Sequence, residues 1–171
     1  MPNIKDILYV RFRVTDLQAQ KQFLEDFGFQ TKLDGDLLMA RGTDDTPYIY
    51  LAQEAVEPGF VCVGFAAESA DALREIAAID QVPVEANPLE GGGLIAHLTD
   101  PNGFAVDVVA NISAAPSLTV AGRSGLNSGN EKQRLGERVA FVDPECSIKR
   151  LGHVVLMVNN FQETFEWYQC R

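Results

Sequence analysis

The chain has few of the residues that usually bind metals or form disulfides. It contains three cysteines and two histidines in 171 residues. The cysteines are odd in number, widely spaced and include no Cys-X-X-Cys pair; they are Cys62, Cys146 and Cys170. This pattern argues against a disulfide framework and against a cysteine zinc site.

Basic residues are also scarce, and long apolar runs are missing. Lys and Arg number 14 against 24 Asp and Glu, which gives a formal charge of -10. Nucleic acids and anionic membranes are bound through clustered Lys and Arg, so neither is an expected partner. No apolar run approaches the roughly 20 residues of a membrane span, and the opening segment MPNIKDILYV lacks the apolar core of a signal peptide. A cytoplasmic location is expected.

Alternating apolar residues and turn signals predict two successive βαβββ units between residues 4 and 111. In each unit a strand precedes a capped helix, with Thr15 and Asp16 before the first helix and Ser69 before the second. The remaining strands are short and are separated by turn sequences. The predicted strands are Ile7–Val14, Phe29–Leu33, Leu37–Arg41, Tyr48–Gln53, Phe60–Ala66, Pro83–Glu85, Leu94–Leu98 and Ala105–Val109.

The opening pattern of the chain recurs near its end. Leu151–Tyr168 (LGHVVLMVNNFQETFEWY) matches Leu8–Leu24 (LYVRFRVTDLQAQKQFL) when Val158 is placed on Val14, an offset of 144 residues. Such repetition predicts that residues 148–171 begin a second domain, with an opening strand and a helix. The Gly-, Ser- and Pro-containing stretch 112–147 between them is predicted to be a linker.

The predicted last helix has an apolar face with no obvious partner. Phe161, Phe165 and Tyr168 recur at the spacing of one helical face that packs against a sheet. Three outcomes are open for this face: it docks on the first domain, pairs with another copy of the chain, or remains exposed.

Two motifs add a family resemblance to this pattern. Asp100-Pro101-Asn102-Gly103 is followed, four residues after the glycine, by Asp107, and Leu151–Leu156 reads LGHVVL. With the paired units, these motifs resemble the vicinal oxygen chelate superfamily of glyoxalases, bleomycin-resistance proteins and extradiol dioxygenases. The resemblance implies an α+β fold in which paired βαβββ modules form one domain, followed by the opening strand and helix of a second.

The long linker and the start of a second domain resemble the two-domain extradiol dioxygenases most. The resemblance implies an amino-terminal domain that has usually lost its metal, and a carboxy-terminal domain that holds Fe(II) or Mn(II) with two His and one Glu. Transferred to this sequence, the ligand positions of the first domain are Tyr9, about Cys62, and Asp107 in place of Glu. His153 matches the first ligand of the second domain, whose other ligands would lie beyond Arg171. This chain is therefore expected to hold no metal by itself.

Each candidate residue also has a plain structural interpretation. His97 either faces the cleft or is a partly exposed strand residue, and its relation to Asp107 depends on the register of the intervening hairpin. Asp107 is expected to find a partner in Arg11, Arg13 or water, because an unpaired buried carboxylate is costly. Tyr9 is expected to fill the former metal space, and Cys62 to be a small core residue.

The sequence thus predicts the non-catalytic amino-terminal domain of a catechol ring-cleaving dioxygenase-like protein of aromatic catabolism. This chain alone is expected to be inactive, and the substrate of the complete protein to be a small, catechol-like aromatic molecule. The alternative is a metal-free module that binds a small aromatic ligand or mediates dimerisation. A homo-oligomer is the expected assembly.

Overall fold

The computed structural model describes residues 4–118 and 147–171. Most of the predicted linker, including Cys146, lies outside these ranges. The eight strands and three helices follow the predicted order, with shifts of one to a few residues at their ends. Their bounds are β1 Ile4–Val14, α1 Leu17–Asp26, β2 Gln30–Asp34, β3 Leu37–Arg41, β4 Tyr50–Glu54, β5 Gly59–Ala67, α2 Ala70–Asp80, β6 Glu85–Ala86, β7 Leu94–Thr99, β8 Ala105–Ala110 and α3 Phe161–Gln169.

All eight strands form one sheet, in the order β2-β3-β4-β1-β5-β8-β7-β6. Each half repeats the same arrangement, since β1 pairs parallel with β4 and β5 pairs parallel with β8. The halves meet where β1 and β5 pair antiparallel. The predicted α+β class and the paired βαβββ modules are therefore confirmed. None of the helices in the described part of the chain is long and apolar enough to cross a membrane.

The first two helices begin where the sequence places a cap. The Asp16 carboxylate accepts hydrogen bonds from the amides at the start of α1, and the Ser69 hydroxyl accepts one at the start of α2. Each helix then buries an apolar stripe against its half of the sheet. The buried residues are Leu17 and Leu24 on α1, and Leu73, Ile76 and Ala77 on α2.

The two faces of the sheet carry different residues because side chains alternate along a strand. On the helix side, Val63, Val106 and Val108 pack with the apolar residues of α2. On the opposite side, Tyr9 and Cys62 belong to a separate buried cluster. We call these the helix face and the open face of the sheet.

The segment Leu151–Val158, predicted to be a strand, is not one in the described structure. It is followed by α3, which begins after the Asn160 cap as the repeat predicted. From Val154 to Val158 the side chains still alternate between half-buried and exposed. A strand requires a neighbouring strand for its backbone hydrogen bonds, and residues 4–118 and 147–171 offer this segment none.

Helix α3 docks on the first domain, but with a different face from the predicted one. Phe161 and Phe165 remain 71% and 49% exposed. Thr164 is buried instead, while Trp167 and Tyr168 pack against the α2 side of the core. Polar anchors at the domain surface, described below for Asn102 and Asp80, hold the helix in this orientation. Of the outcomes left open for the aromatic face, Tyr168 docks on the first domain, while Phe161 and Phe165 stay largely exposed.

Candidate functional site

The open face carries a hydrogen-bonded cluster centred on Asp107 of β8. One carboxylate oxygen, Oδ2, accepts from the Tyr9 hydroxyl at 2.5 Å and from the Cys62 thiol at 3.2 Å. The other, Oδ1, lies 2.6 Å from Nδ1 of His97. Tyr9, Cys62 and Asp107 are buried, whereas the His97 side chain is 60% exposed. The cluster therefore joins a buried carboxylate to an imidazole at the surface.

Strand register explains why these four residues meet. Tyr9 of β1 pairs with Gly64 of β5, Gly64 pairs with Asp107 of β8, and Asp107 pairs with His97 of β7. Cys62 lies two residues from Gly64, so its side chain points to the same face. The register that the sequence left open is thereby settled: His97 and Asp107 lie directly opposite each other. All four candidate positions of the first domain come together.

A glycine makes room for the tyrosine. A methyl group built at Gly64 would collide with the Tyr9 ring, so the ring lies directly over the β5 backbone. Tyr48 packs edge-on against the same ring, with centroids 5.3 Å apart. Sequence analysis did not identify Gly64, although a glycine inside an apolar strand (FVCVGFA) often marks a close approach of another group.

Burial and the nearby carboxylate keep the two buried donors protonated. Desolvation, followed by the charge of Asp107 and the hydrogen bond to it, raises the pKa of Tyr9 far above its ordinary 10.0. The same causes raise the pKa of the Cys62 thiol well above 9.0. Tyr9 and Cys62 are therefore neutral donors to the Asp107 carboxylate at physiological pH.

The prediction that Arg11 or Arg13 pairs with Asp107 is wrong. Arg11 donates to Gln53 at 2.9 Å, and its Nε is buried with no partner among the described residues. Arg13 forms no ion pair with any described carboxylate; its guanidinium lies over Gly59. Hydroxyl, thiol and imidazole groups stabilise the buried carboxylate instead, because β1, β5 and β7 place them within hydrogen-bonding distance.

The donor set fits a hydrogen-bonded cluster better than a metal site. A metal ion needs deprotonated thiolate or carboxylate ligands and neutral imidazoles. Here the thiol and the phenol are held protonated, and both carboxylate oxygens already have protein partners. Across residues 4–118 and 147–171, no group of three or more His, Cys, Asp or Glu side chains is placed to hold a metal ion.

His153 lies apart from this cluster. It lines a groove together with Val63 and Phe65 of β5, which point to the helix face and not to the open face. The structure therefore brings together Tyr9, Cys62, His97 and Asp107 but not His153. The assignment of His153 as a metal ligand of a longer protein stays a prediction.

Asn102 of the Asp-Pro-Asn-Gly turn has a role that sequence analysis missed. Its side-chain amide donates to the Thr164 hydroxyl at 2.7 Å and its carbonyl oxygen accepts from the Asn159 amide at 3.0 Å. Asp100 of the same turn accepts a hydrogen bond from Tyr168 at 3.4 Å. The hairpin that carries His97 and Asp107 is thus attached to α3.

We expect the variant Gly64→Ala to lower the free energy of unfolding by about 1–3 kcal/mol, the usual cost of overpacking a core. The new methyl group would press on the Tyr9 ring, which is itself buried. Urea unfolding followed by circular dichroism measures the change. Gly59→Ala on the same strand is the matched control, because its methyl group would meet only the flexible end of Arg13, at 3.1 Å. Equal effects of the two variants would contradict the close approach.

Comparisons with known proteins place this geometry in a structural group. No family model matches the chain, and no curated protein sequence matches it. Solved structures do. The Mn(II)-bound glyoxalase from Novosphingobium aromaticivorans superposes with a TM-score of 0.64 at 22% identity, over 74% of this chain and 45% of that one.

Two 2,3-dioxygenases are also similar. A variant of homoprotocatechuate 2,3-dioxygenase from B. fuscum gives a TM-score of 0.61 at 17% identity, over 68% of this chain and 35% of that one. The 2,3-dioxygenase LapB from Pseudomonas sp. KL28 gives 0.59 at 17% identity, over 67% and 43%. The match spans less than half the length of each of these three proteins. With its paired βαβββ modules in one eight-stranded sheet, the chain has the vicinal oxygen chelate fold.

Proposed function

We propose that this chain is the metal-free, non-catalytic amino-terminal domain of an extradiol dioxygenase-like protein. The observation that carries the proposal is the closed cluster around Asp107. At the positions where the family resemblance expects metal ligands, Tyr9 and Cys62 both donate hydrogen bonds to Asp107. The Tyr9 hydroxyl lies 2.5 Å from the Asp107 carboxylate and occupies one of its oxygens.

The catalytic centre of the complete protein belongs to a further domain in this proposal. The sequence repeat that begins at Leu151, and the short share of the similar enzymes that this chain spans, support it. His153 would there be the first ligand of Fe(II) or Mn(II), and a small catechol-like molecule the substrate. The exposed side chains of Phe161 and Phe165 favour a homo-oligomer or another partner surface.

The test is metal binding and ring cleavage by the chain as it stands. The protein is stripped with a chelator, incubated anaerobically with excess Fe(II) or Mn(II), desalted and analysed for metal. We expect far less than one equivalent to remain, and no oxygen uptake with catechol, because the donors around Asp107 are protonated or already hydrogen-bonded.

Asp107→Asn is the matched control for this measurement. If the retained metal is adventitious, the variant retains the same small amount as the unaltered chain. One tightly held equivalent in the unaltered chain that disappears in Asp107→Asn would overturn the proposal, since it would place a working metal site at the cluster.

A further inference from the structure

A groove of about 560 Å³ lies on the helix face of the sheet, on the side away from the Asp107 cluster. Its floor is formed by the central strands β1 and β5, and its walls by the segment Leu151–Val158 and by α3. The lining side chains that matter here are Ile7, Val63, Phe65, Leu156, Phe161 and Phe165. Because Val63 and Phe65 alternate with Cys62 and Gly64 along β5, the groove and the cluster occupy opposite faces.

The wall segment is fixed before it reaches the groove. The amides of Thr43 and Asp44 donate to the carbonyl oxygens of Ile148 and Lys149 at 2.8 and 3.2 Å. Arg150 then forms an ion pair with Asp6 at 2.8 Å. These contacts hold the chain against the β3–β4 loop and the start of β1, just ahead of the groove.

The far wall is fixed as well. Asn102 binds both Asn159 and Thr164, as described above. At the end of α3, Arg171 binds both carboxylate oxygens of Asp80 on α2, each at 2.6 Å. A bidentate, half-buried pair of this kind has a defined geometry. With both ends of the wall held, the space between wall and sheet stays open and is not filled by collapse of the segment.

The wall segment presents two different faces. Val154, Leu156 and Val158 line the groove. Val155 and Met157 point outward and are 80% and 91% exposed. This alternation gives the groove an apolar wall. It also places adjacent apolar residues, such as Leu156 and Met157, on opposite sides of the segment.

The groove is almost uncharged in a chain of net charge -10. Asp6 is its one charged lining residue, and Arg150 neutralises it. The remaining lining side chains with polar atoms are His153, Thr164 and Tyr168, and the Tyr168 hydroxyl donates to Asp100. A charged ligand would lose its hydration here without gaining a counter-charge, whereas an apolar ligand would gain the free energy of burying its surface.

We propose that this groove binds a neutral, apolar small molecule of up to about three rings. Its volume falls within the range of small-ligand sites, roughly 300–1,000 Å³, and its mostly apolar lining with a few polar groups is typical of them. The inference applies to the chain as it stands. Its test is separate from the metal-binding test above, because the groove and the Asp107 cluster lie on opposite faces of the sheet.

The experiment uses the full chain and a neutral fluorescent probe, N-phenyl-1-naphthylamine, whose emission rises in apolar surroundings. We expect saturable binding, with a parallel change in the emission of Trp167, the single tryptophan, which packs beside the groove. The anionic probe 8-anilinonaphthalene-1-sulfonate is expected to bind at least about tenfold more weakly, because the uncharged lining cannot offset its lost hydration.

Two adjacent variants make the matched test. Leu156→Asp places a carboxylate in the groove and is expected to weaken probe binding about tenfold or more, while Met157→Asp places the same charge in solvent and should change it less than about twofold. Leu156→Phe, which fills the groove and keeps the wall apolar, is expected to weaken binding without unfolding the segment. Circular dichroism verifies that each variant is folded.

Three results would overturn the proposal. These are no saturable binding, equal effects of Leu156→Asp and Met157→Asp, or equal binding of the neutral and the anionic probe. Light scattering is run alongside. If two chains associate with Leu156 at the interface and the probe dissociates them, the groove is occupied by a second copy and the small-molecule assignment is wrong.

Discussion

Replacing Asp107 with alanine is expected to lower the free energy of unfolding by about 3 kcal/mol. The Tyr9 hydroxyl and the Cys62 thiol both donate to its Oδ2 from buried positions. Without the carboxylate, both donors stay buried with no acceptor, and each unsatisfied group costs about 1–3 kcal/mol. Part of this cost is offset, because the variant no longer buries a charge. Urea unfolding at neutral pH, followed by circular dichroism, measures the difference.

Two further variants separate the loss of hydrogen bonds from the loss of packing. Asp107→Asn keeps an acceptor oxygen and nearly the same volume, so we expect it to cost about half as much as the alanine variant. The double variant Tyr9→Phe with Asp107→Ala should cost less than the sum of the two single changes, because the buried hydroxyl is removed with its acceptor. Additive effects, or a loss below about 0.5 kcal/mol in Asp107→Ala, would contradict the central role of the carboxylate.

The sequence predicted the candidate cluster as far as strand register allowed. Tyr9 and Cys62 were placed at equivalent points of the two repeated units. In the structure Tyr9 pairs with Gly64 and Cys62 with Arg11, and Tyr9 and Cys62 belong to one buried cluster on the open face. The partner of Asp107 was not predictable in the same way. A shift of one residue in the hairpin between β7 and β8 would turn His97 to the other face, and only the folded hairpin fixes which residue lies opposite.

Close contacts between residues that are far apart in the sequence could not be predicted either. Gly64 accommodates the Tyr9 ring, but the two residues are 55 positions apart and meet only through the β1–β5 pairing. Likewise, the Asp-Pro-Asn-Gly turn was recognisable as a turn, whereas the attachment of Asn102 to Asn159 and Thr164 depends on where α3 docks. Contacts between distant elements depend on tertiary packing, which local patterns do not encode.

The carboxy-terminal segment shows most clearly that a local preference for strand structure is not enough to form a strand. Leu151–Val158 has the β-branched, apolar composition of a strand, and its side chains alternate as in a strand. It lacks the neighbour that a strand needs for its backbone hydrogen bonds. In α3 the sequence marks Phe161 and Phe165 as an apolar face. The helix instead buries the face held by polar contacts from Asn102 and Asp80 of the first domain.

Stability is expected to fall steeply as pH rises above about 9. Folding raises the pKa of Cys62 above its ordinary 9.0 and that of Tyr9 above 10.0, in both cases mainly by burial and then through Asp107. The folded chain therefore keeps two protons that the unfolded chain releases in alkali. Since the unfolded state then binds fewer protons, the free energy of unfolding decreases as pH rises, by up to about 1.4 kcal/mol per pH unit for each group.

Together these two groups should remove about 4 kcal/mol between pH 8 and pH 11. Burial also raises the pKa of Tyr48, to about 12, which adds to the same trend above pH 10. Urea unfolding at closely spaced pH values measures the slope.

Cys62→Ala is expected to make the slope shallower from pH 9, and Tyr9→Phe from pH 10, because each variant removes one of the retained protons. Cys170→Ala, which removes an exposed thiol, is the matched control for replacing a cysteine. An unfolding free energy that stays constant or rises from pH 8 to pH 11 would show that Tyr9 and Cys62 are not held protonated in the fold, and with that the description of the cluster as neutral donors around one carboxylate would fail.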